Sequence, residues 1–326
     1  MKKYTPPYTI TSKMVNVIAL ITEEISKIES NQQQIITPKL RKVNRIKTLA
    51  GTLEIEGNFL GEEKITAILE GKRVLGTYAE VTEAESAIRA YKAFESYDPY
   101  SLESLLHAHK LMMGDILTTA GSFRAINVGV GSQDGVSHVA PPYSAVPELM
   151  HNLFAWLKES DEHPLIKACV FHYEFEFIHP FSDGNGRIGR LWQSVILYHW
   201  KQPFIAIATE SIVRDHQEAY YQALEDAGTA GESTPFVEFM LEVIYESIVS
   251  SVKGSVNSSV NAEDKILFYL KENPTATIKT LAEVLALSTR AIEKQIAKLK
   301  TKGRLERIGS ARKGHWEVKK EDADDQ

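Results

Sequence analysis

Residues 177–192 read FIHPFSDGNGRIGRLW, a stretch that interrupts two helical patterns. Upstream, Ile166, Cys169, Val170, Tyr173 and Phe177 recur at steps of three and four, one apolar face of a helix. Downstream, Ile188, Leu191, Trp192, Val195 and Ile196 repeat that pattern. His179 therefore closes the first helix, and Arg187 falls in the first turn of the second. Gly184, Asn185 and Gly186 sit where the second helix exposes unpaired N–H groups, and glycine lets backbone approach a ligand closely. A helix start favours negative charge, and Arg187 and Arg190 project from its opening turns. The loop reads as an anion site with room for several phosphates.

Asp183 conflicts with an anion unless a cation intervenes. Mg²⁺ held by one carboxylate plus phosphates removes the conflict. His179 is the nearby group able to take a proton near neutral pH. A nucleotide, a metal and a base at one loop point to transfer of a phosphorus-containing group to a hydroxyl. Taken singly, the glycines make a turn, the His a cap and the Asp an N-cap. All of them in one register is the stronger signal.

Helix dominates residues 1–250. Ser101 caps one helix, with Glu103 in its first turn and Leu102, Leu105, Leu106 and Met112 at helical spacing. Residues 123–142, FRAINVGVGSQDGVSHVAPP, change period: short β-branched runs flank Gly-Ser-Gln-Asp-Gly, and two prolines then forbid helix. That is a β-hairpin signal. Gly129, Gly131 and Gly135 have neither the spacing nor the βαβ setting of a dinucleotide or P-loop fingerprint. The Ser/Asn/Val-rich stretch around 251–261 marks a linker or a frayed helix end. Beyond it, helices over 262–272, 278–285 and 289–302, a turn at Leu287-Ser288, and strands around 305–308 and 315–318 predict a winged helix-turn-helix. The expected division is a helical region over 1–95, a core over 96–250, a linker over 251–261, a winged helix over 262–320 and an acidic tail over 321–326. The expected fold is mainly α, a helical core with a short β-hairpin followed by that small winged domain.

A chain of 326 residues favours two domains, and 43% hydrophobic with 25% charged residues is ordinary globular composition. No run of about 18 apolar residues occurs, so no membrane contact is expected. The start, MKKYTPPYTITSK, lacks the apolar region of a secretory signal. Cys169, the single cysteine, lies on an apolar helix face and reads as a buried thiol, which together suits a cytoplasmic protein. The net charge of −6 is uneven: residues 260–320 carry +7 and the remainder −13. The basic segment suits an acidic partner such as DNA, and the body does not.

Residues 179–190, HPFSDGNGRIGR, match the full Fic signature HPFx(D/E)GNGRxxR, and the chain resembles Fic proteins over about residues 5–250. The resemblance implies a protein adenylyltransferase that moves AMP from ATP to a Ser, Thr or Tyr hydroxyl of a target protein or of itself. It implies His179 as general base, Asp183 as Mg²⁺ ligand, and Gly184, Asn185 and Gly186 as the phosphate cradle. Ile188 and Gly189 belong to the same ATP-binding run, and Arg187 and Arg190 hold the β- and γ-phosphates. Phe181 anchors the loop in the core. In-line attack on the α-phosphate, with pyrophosphate leaving, is the implied chemistry.

By the same resemblance, residues 127–139 form a flap that pairs with an extended target segment, with Val128, Gly129, Val130 and Val139 as the docking backbone. Tyr221 is the candidate adenine contact, whereas Tyr220 reads as core. Near Gly228 relatives carry an Asn that this chain lacks. Thr52-Leu53-Glu54-Ile55-Glu56-Gly57 matches the (S/T)xxxE(G/N) motif of an N-terminal inhibitory helix. It implies that Glu56 pairs with Arg190 and denies it to the γ-phosphate, and in some relatives this Glu also helps remove AMP. In the C-terminal module, Arg290, Lys294 and Lys298 repeat every four residues, and Arg307, Arg312 and Lys313 lie at the wing. They suit phosphate contacts or docking of a partner, a second copy included. A DNA-binding regulator with a sensing Fic body, and a Fic transferase using another nucleotide donor, are the competing readings.

Overall fold

The computed structural model describes residues 4–31, 35–132, 135–259, 266–267, 269–271, 273–285, 289–309 and 314–319; at 130–132, 135–139, 252–259, 283 and 291 the backbone alone is described. The chain packs as two units, Met1–Val252 and Lys253–Gln326.

The first unit is built from α1 (Ser12–Ser30), α2 (Pro38–Ile55), α3 (Gly61–Leu69), α4 (Tyr78–Lys92), α5 (Leu102–Met113), α6 (Val146–Glu159), α7 (Pro164–Ile178), α8 (Asn185–Trp200), α9 (Thr209–Asp215) and α10 (Gln217–Ala230). Helix α11 (Thr234–Ser259) runs across the boundary. Local chemistry sets the helix starts: Thr11, Thr37, Thr77 and Ser101 each accept a backbone N–H two or three residues into the helix. Thr77 and Glu80 complete a reciprocal capping box. Helix α7 is central. Residues 165–175 are all buried, Lys167 and Glu174 included, so its apolar character extends round the helix. It stops because His179 turns left-handed (φ 50°, ψ 60°) and Pro180 offers no N–H to continue the ladder. Helix α8 starts afresh after Gly184, also left-handed at φ 81°.

Strands β1 (Gly129–Ser132) and β2 (Gly135–Val139) form the expected hairpin, antiparallel, with Gly129 opposite Val139 and Val130 opposite His138. The register shifts between Val130 and Gly131. Residues expected to form a linker continue α11 as helix through Ser259, and 260 and 261 lie outside the described residues. The Ser/Asn composition there is weak for helix, but Phe236, Met240, Ile244 and Ile248 anchor the upstream turns in the core, and propagation costs little once a helix is nucleated.

The second unit holds α12 (Ile278–Val284), α13 (Thr289–Thr301), β3 (Leu305–Ile308) and β4 (His315–Val318), with Ile266, Leu267 and residues 269–271 helical before them. The strands pair antiparallel, Leu305 opposite Val318. Ile266, Leu270, Leu281, Ile292, Ile296, Leu299 and Trp316 make a separate core. The Trp316 indole N–H donates to the Ala276 carbonyl at 3.1 Å. The expected turn at Leu287-Ser288, the wing residues Arg312 and Lys313, and the tail 321–326 lie outside the described residues.

Candidate active site

The loop between α7 and α8 is closed from within and braced from behind. The Asn185 amide spans it twice: Oδ1 accepts the Phe181 N–H and Nδ2 donates to the Phe181 carbonyl, both at 2.9 Å. Phe181 is fully buried and stacks on His109 of α5, with ring centroids 3.6 Å apart and planes 4° from parallel. His109 is buried, which pushes its imidazole down to about 4, so it is neutral near pH 7. Its Nδ1 accepts the Gly121 N–H at 2.8 Å, which assigns the proton to Nε2 and lets that atom donate to the Asp183 carbonyl at 3.0 Å. Two features favour glycine at position 184. Its φ suits glycine, and a Cβ there would lie 2.8 Å from Met113 Sδ. Gly184 caps α8 without a side-chain hydrogen bond, so the first N–H groups of that helix face the loop.

Asp183 stands at the mouth with its side chain 54% exposed. Its Oδ1 accepts the Gly184 N–H at 2.6 Å and an Arg187 Nη2–H at 3.3 Å. Among the described residues no three His, Cys, Asp or Glu stand together to hold a metal. One half-exposed carboxylate suits a Mg²⁺ that draws its remaining ligands from phosphates and water. Arg187 is buried on α8 beside it. Ile188 is fully buried, and the Cα of Gly189 faces α7, where a Cβ would meet Glu176 Oε1 at 2.5 Å. Those two members of the expected nucleotide run thus pack the helix rather than line the loop. Gly186 faces the mouth: a Cβ on it would lie 2.6 Å from Glu56 Oε1.

Arg190 is 3% exposed and is gripped by the last turn of α2 and its C-cap. Its Nε–H donates to Thr52 Oγ1 and an Nη2–H to the Thr52 carbonyl, each at 3.2 Å, and Nη2 meets Glu56 Oε1 at 2.7 Å. The local end of α2 places Glu56 there. Gly57 (φ 87°) accommodates a left-handed turn, its N–H bonds the Glu54 carbonyl, and the Asn58 N–H bonds the Leu53 carbonyl, both at 3.0 Å. This is a Schellman ending with Glu56 as the C-cap. Burial alone would raise the Glu56 carboxyl, but the charge and hydrogen bond of Arg190, with smaller help from Arg187 and His179, hold it below the usual carboxylate range. Burial would lower Arg190, but Glu56 raises it above its ordinary value, with weaker help from Tyr220 and Glu176, so the pair is ionised.

Behind Arg190 lies a buried polar group of residues. Tyr220 Oη and His172 Nε2 are 3.1 Å apart, and His172 Nδ1 and Gln193 Oε1 are 2.5 Å apart. Burial pushes His172 down to about 3 and Glu176 up to about 8, the latter against the pull of Arg190. Tyr220 is 2% exposed, as its reading as core requires. Tyr221 beside it is 49% exposed, and a Cβ at Gly228 would meet open space.

Residues 99–197 match the Fic/DOC family, and residues 263–315 match an HTH domain. The structure of a Fic family protein from Desulfovibrio desulfuricans G20 superposes with a TM-score of 0.76 at 36% identity, covering 99% of this chain and 100% of that one. This chain is a Fic family protein. Among curated Fic relatives, Protein adenylyltransferase Fic of Culex quinquefasciatus is 30% identical over 199 residues, 58% of this chain and 38% of that protein. Protein adenylyltransferase fic-1 of Caenorhabditis elegans is 29% identical over 201 residues, 58% of this chain and 37% of that one. The chain spans well under half the length of these curated relatives. The structure of C. elegans Fic-1 shares the fold, with a TM-score of 0.60 at 21% identity over 76% of this chain and 72% of that one.

The Fic fold thus brings His179, Asp183, residues 184–187, Arg190, Thr52 and Glu56 to one loop. Sequence reading passed over His109, Arg124 and the His172–Glu176 group. His109 had a signal: it sits between Leu105 and Met112 on the face of α5 that packs into the core. A polar ring at such a position needs partners.

Proposed function

We propose that this protein is an autoinhibited protein adenylyltransferase that transfers AMP from ATP to a hydroxyl of a target protein or of itself. The observation carrying this reading is the grip of Thr52 and Glu56 on Arg190, 138 and 134 residues away in sequence, at the start of a helix whose N–H groups face the loop. ATP phosphates would bind residues 184–187 and Arg190, with Tyr221 toward the adenine. His179 would take the proton of the acceptor hydroxyl as its oxygen bonds to the α-phosphorus. The bond to the β-phosphate oxygen breaks, and pyrophosphate leaves. Asp183 would hold Mg²⁺, which when bound offsets phosphate charge. The backbone of Val128, Gly129, Val130 and Val139 would pair with an extended target segment. While Glu56 holds Arg190, the γ-phosphate lacks that partner.

With α-labelled ATP, Glu56→Gly is expected to raise labelling of protein about tenfold or more, as ~1.4 kcal/mol of competition for Arg190 would dictate. His179→Ala in that background should lose about 10²–10⁴-fold. Equal labelling by Glu56→Gly and the parent chain would refute the brake, and labelling that survives His179→Ala would refute the base. A labelled panel of other nucleotides tests the donor.

The HTH match supports a second role for residues 262–320. Arg290, Lys294 and Lys298 are all exposed on α13, the recognition helix of such a module, and would contact DNA phosphates. Arg307 instead lies over the Trp316 ring at 4.7 Å.

A further inference from the structure

Arg124 lies between α5 and the hairpin, is 4% exposed, and spends its donors on carbonyls. Its Nε–H donates to the His179 carbonyl at 2.8 Å, and Nη2 lies 3.4 Å from the Ile178 carbonyl. The same guanidinium reaches both feet of the hairpin: Nη1 donates to the Ile126 carbonyl at 2.8 Å and Nη2 to the Pro141 carbonyl at 2.5 Å. The Arg124 backbone N–H donates to the Pro180 carbonyl at 2.9 Å. The preceding residue, Phe123, packs its ring 5.9 Å from that of Phe181.

Those acceptors decide the meaning. His179 is the one non-glycine residue with positive φ among the described residues, and for a residue with a Cβ that region costs about 1 kcal/mol. A conformation of that kind persists when its surroundings over-determine it. Here the carbonyls on both sides of the strained residue are held by one planar fork, and the same fork holds the chain just before β1 at Ile126 and just after β2 at Pro141. A lysine, with a single point of charge, cannot reach four carbonyls in diverging directions.

We propose that Arg124 is a positioning residue that locks the backbone of the base and the two feet of the target-docking hairpin into one geometry, so that a hydroxyl presented along the hairpin arrives at His179. The proposal rests on reading His179 as base and the hairpin as the dock. The phosphate cradle is braced separately, by His109 on the Asp183 carbonyl and by Asn185 on Phe181, so Arg124 acts on acceptor geometry and not on ATP.

The test compares the full chain carrying Glu56→Gly with the same chain also carrying Arg124→Gln or Arg124→Lys. Hydrogen exchange, read peptide by peptide, should quicken together in 124–142 and 176–182 and stay unchanged in 186–200. Self-labelling with α-labelled ATP should fall about 10²-fold at saturating ATP in both variants, the cost of about 1 Å of misplacement, with KM for ATP within about twofold. Exchange that quickens in only one of the two segments overturns the coupling, as does faster exchange in 186–200 together with a raised KM for ATP, which marks general loosening. Full-rate labelling by Arg124→Lys also overturns it. If the parent Glu56→Gly chain labels nothing while exchange shows the coupled pattern, the transferase reading fails and the Arg124 linkage stands.

Discussion

Two carboxyls share the field of Arg190 and end in different protonation states. Glu56, 29% exposed and hydrogen-bonded to the guanidinium, is held below the ordinary carboxylate range. Its contribution is therefore complete at neutral pH and is lost only as pH falls through its lowered value. The ratio of labelling by Glu56→Gly to that of the parent chain should stay constant between about pH 6 and 8. A ratio that collapses toward unity in that range would place the brake elsewhere. Glu176 is buried, its Oε1 has no hydrogen-bond partner, and its carboxyl is raised to about 8, so it keeps its proton in the fold. The unfolded chain releases that proton near 4.5, so stability falls as pH rises from there to about 8. Glu174, raised to about 7 by burial, adds to the same slope. Thermal melts of Glu176→Gln should show a shallower decline between pH 5 and 8 than the parent, the two converging near pH 5. Parallel curves would mean that Glu176 is ionised in the folded protein.

At the scale of elements, helix α2, whose C-cap is Glu56, is seated by contacts remote from that residue. Gly51 abuts the backbone of α9, where a Cβ would lie 2.7 Å from the Glu210 carbonyl carbon. Arg214 of α9 pairs with Glu54 at 2.9 Å, and Gln217 of α10 donates to the Ile55 carbonyl at 3.1 Å. Gly51→Ala must push the helix off α9, because a backbone wall cannot yield as a side chain would. The expected outcome is lower melting temperature together with labelling raised toward that of Glu56→Gly, measured with α-labelled ATP. A destabilised but still silent variant would show that Glu56 does not depend on the seat of α2. The loop brace makes a second element-scale prediction. Phe181→Ala removes a fully buried ring stacked on His109 and should cost about 3–5 kcal/mol in denaturant unfolding, with loss of ATP binding.

At the scale of the molecule, two units with separate cores allow separate readouts. Replacing Arg290, Lys294 and Lys298 by Ala should weaken binding of a DNA duplex and flatten its log K against log salt slope by about 2–3, one phosphate for each lost cation. Self-labelling by Glu56→Gly should be unchanged by the same three substitutions. A salt slope that does not move would assign that face to protein docking. The charge asymmetry between the halves was readable before any fold was known, and so were the strands of both hairpins and the limits of α13. The continuation of α11 through Ser259 was less so, because a Ser/Asn-rich turn is carried there by buried residues upstream and not by its own propensity.

What the sequence determined by itself is what neighbouring residues control. Helix ends, the Gly-Asn-Gly opening of α8 and the register of His179, Asp183, Arg187 and Arg190 follow from backbone rules that act over four or five residues. The Thr52–Glu56 spacing and its glycine cap belong to the same class. Tertiary structure alone decided that Glu56 reaches Arg190, that His109 is the neutral brace under Phe181, and that Arg124 joins the backbone of His179 to the feet of the hairpin. It also decided that Ile188 and Gly189 pack the helix instead of facing the loop. Desolvation and long-range pairing depend on which surfaces become buried together, and that is a property of packed elements, not of any one segment.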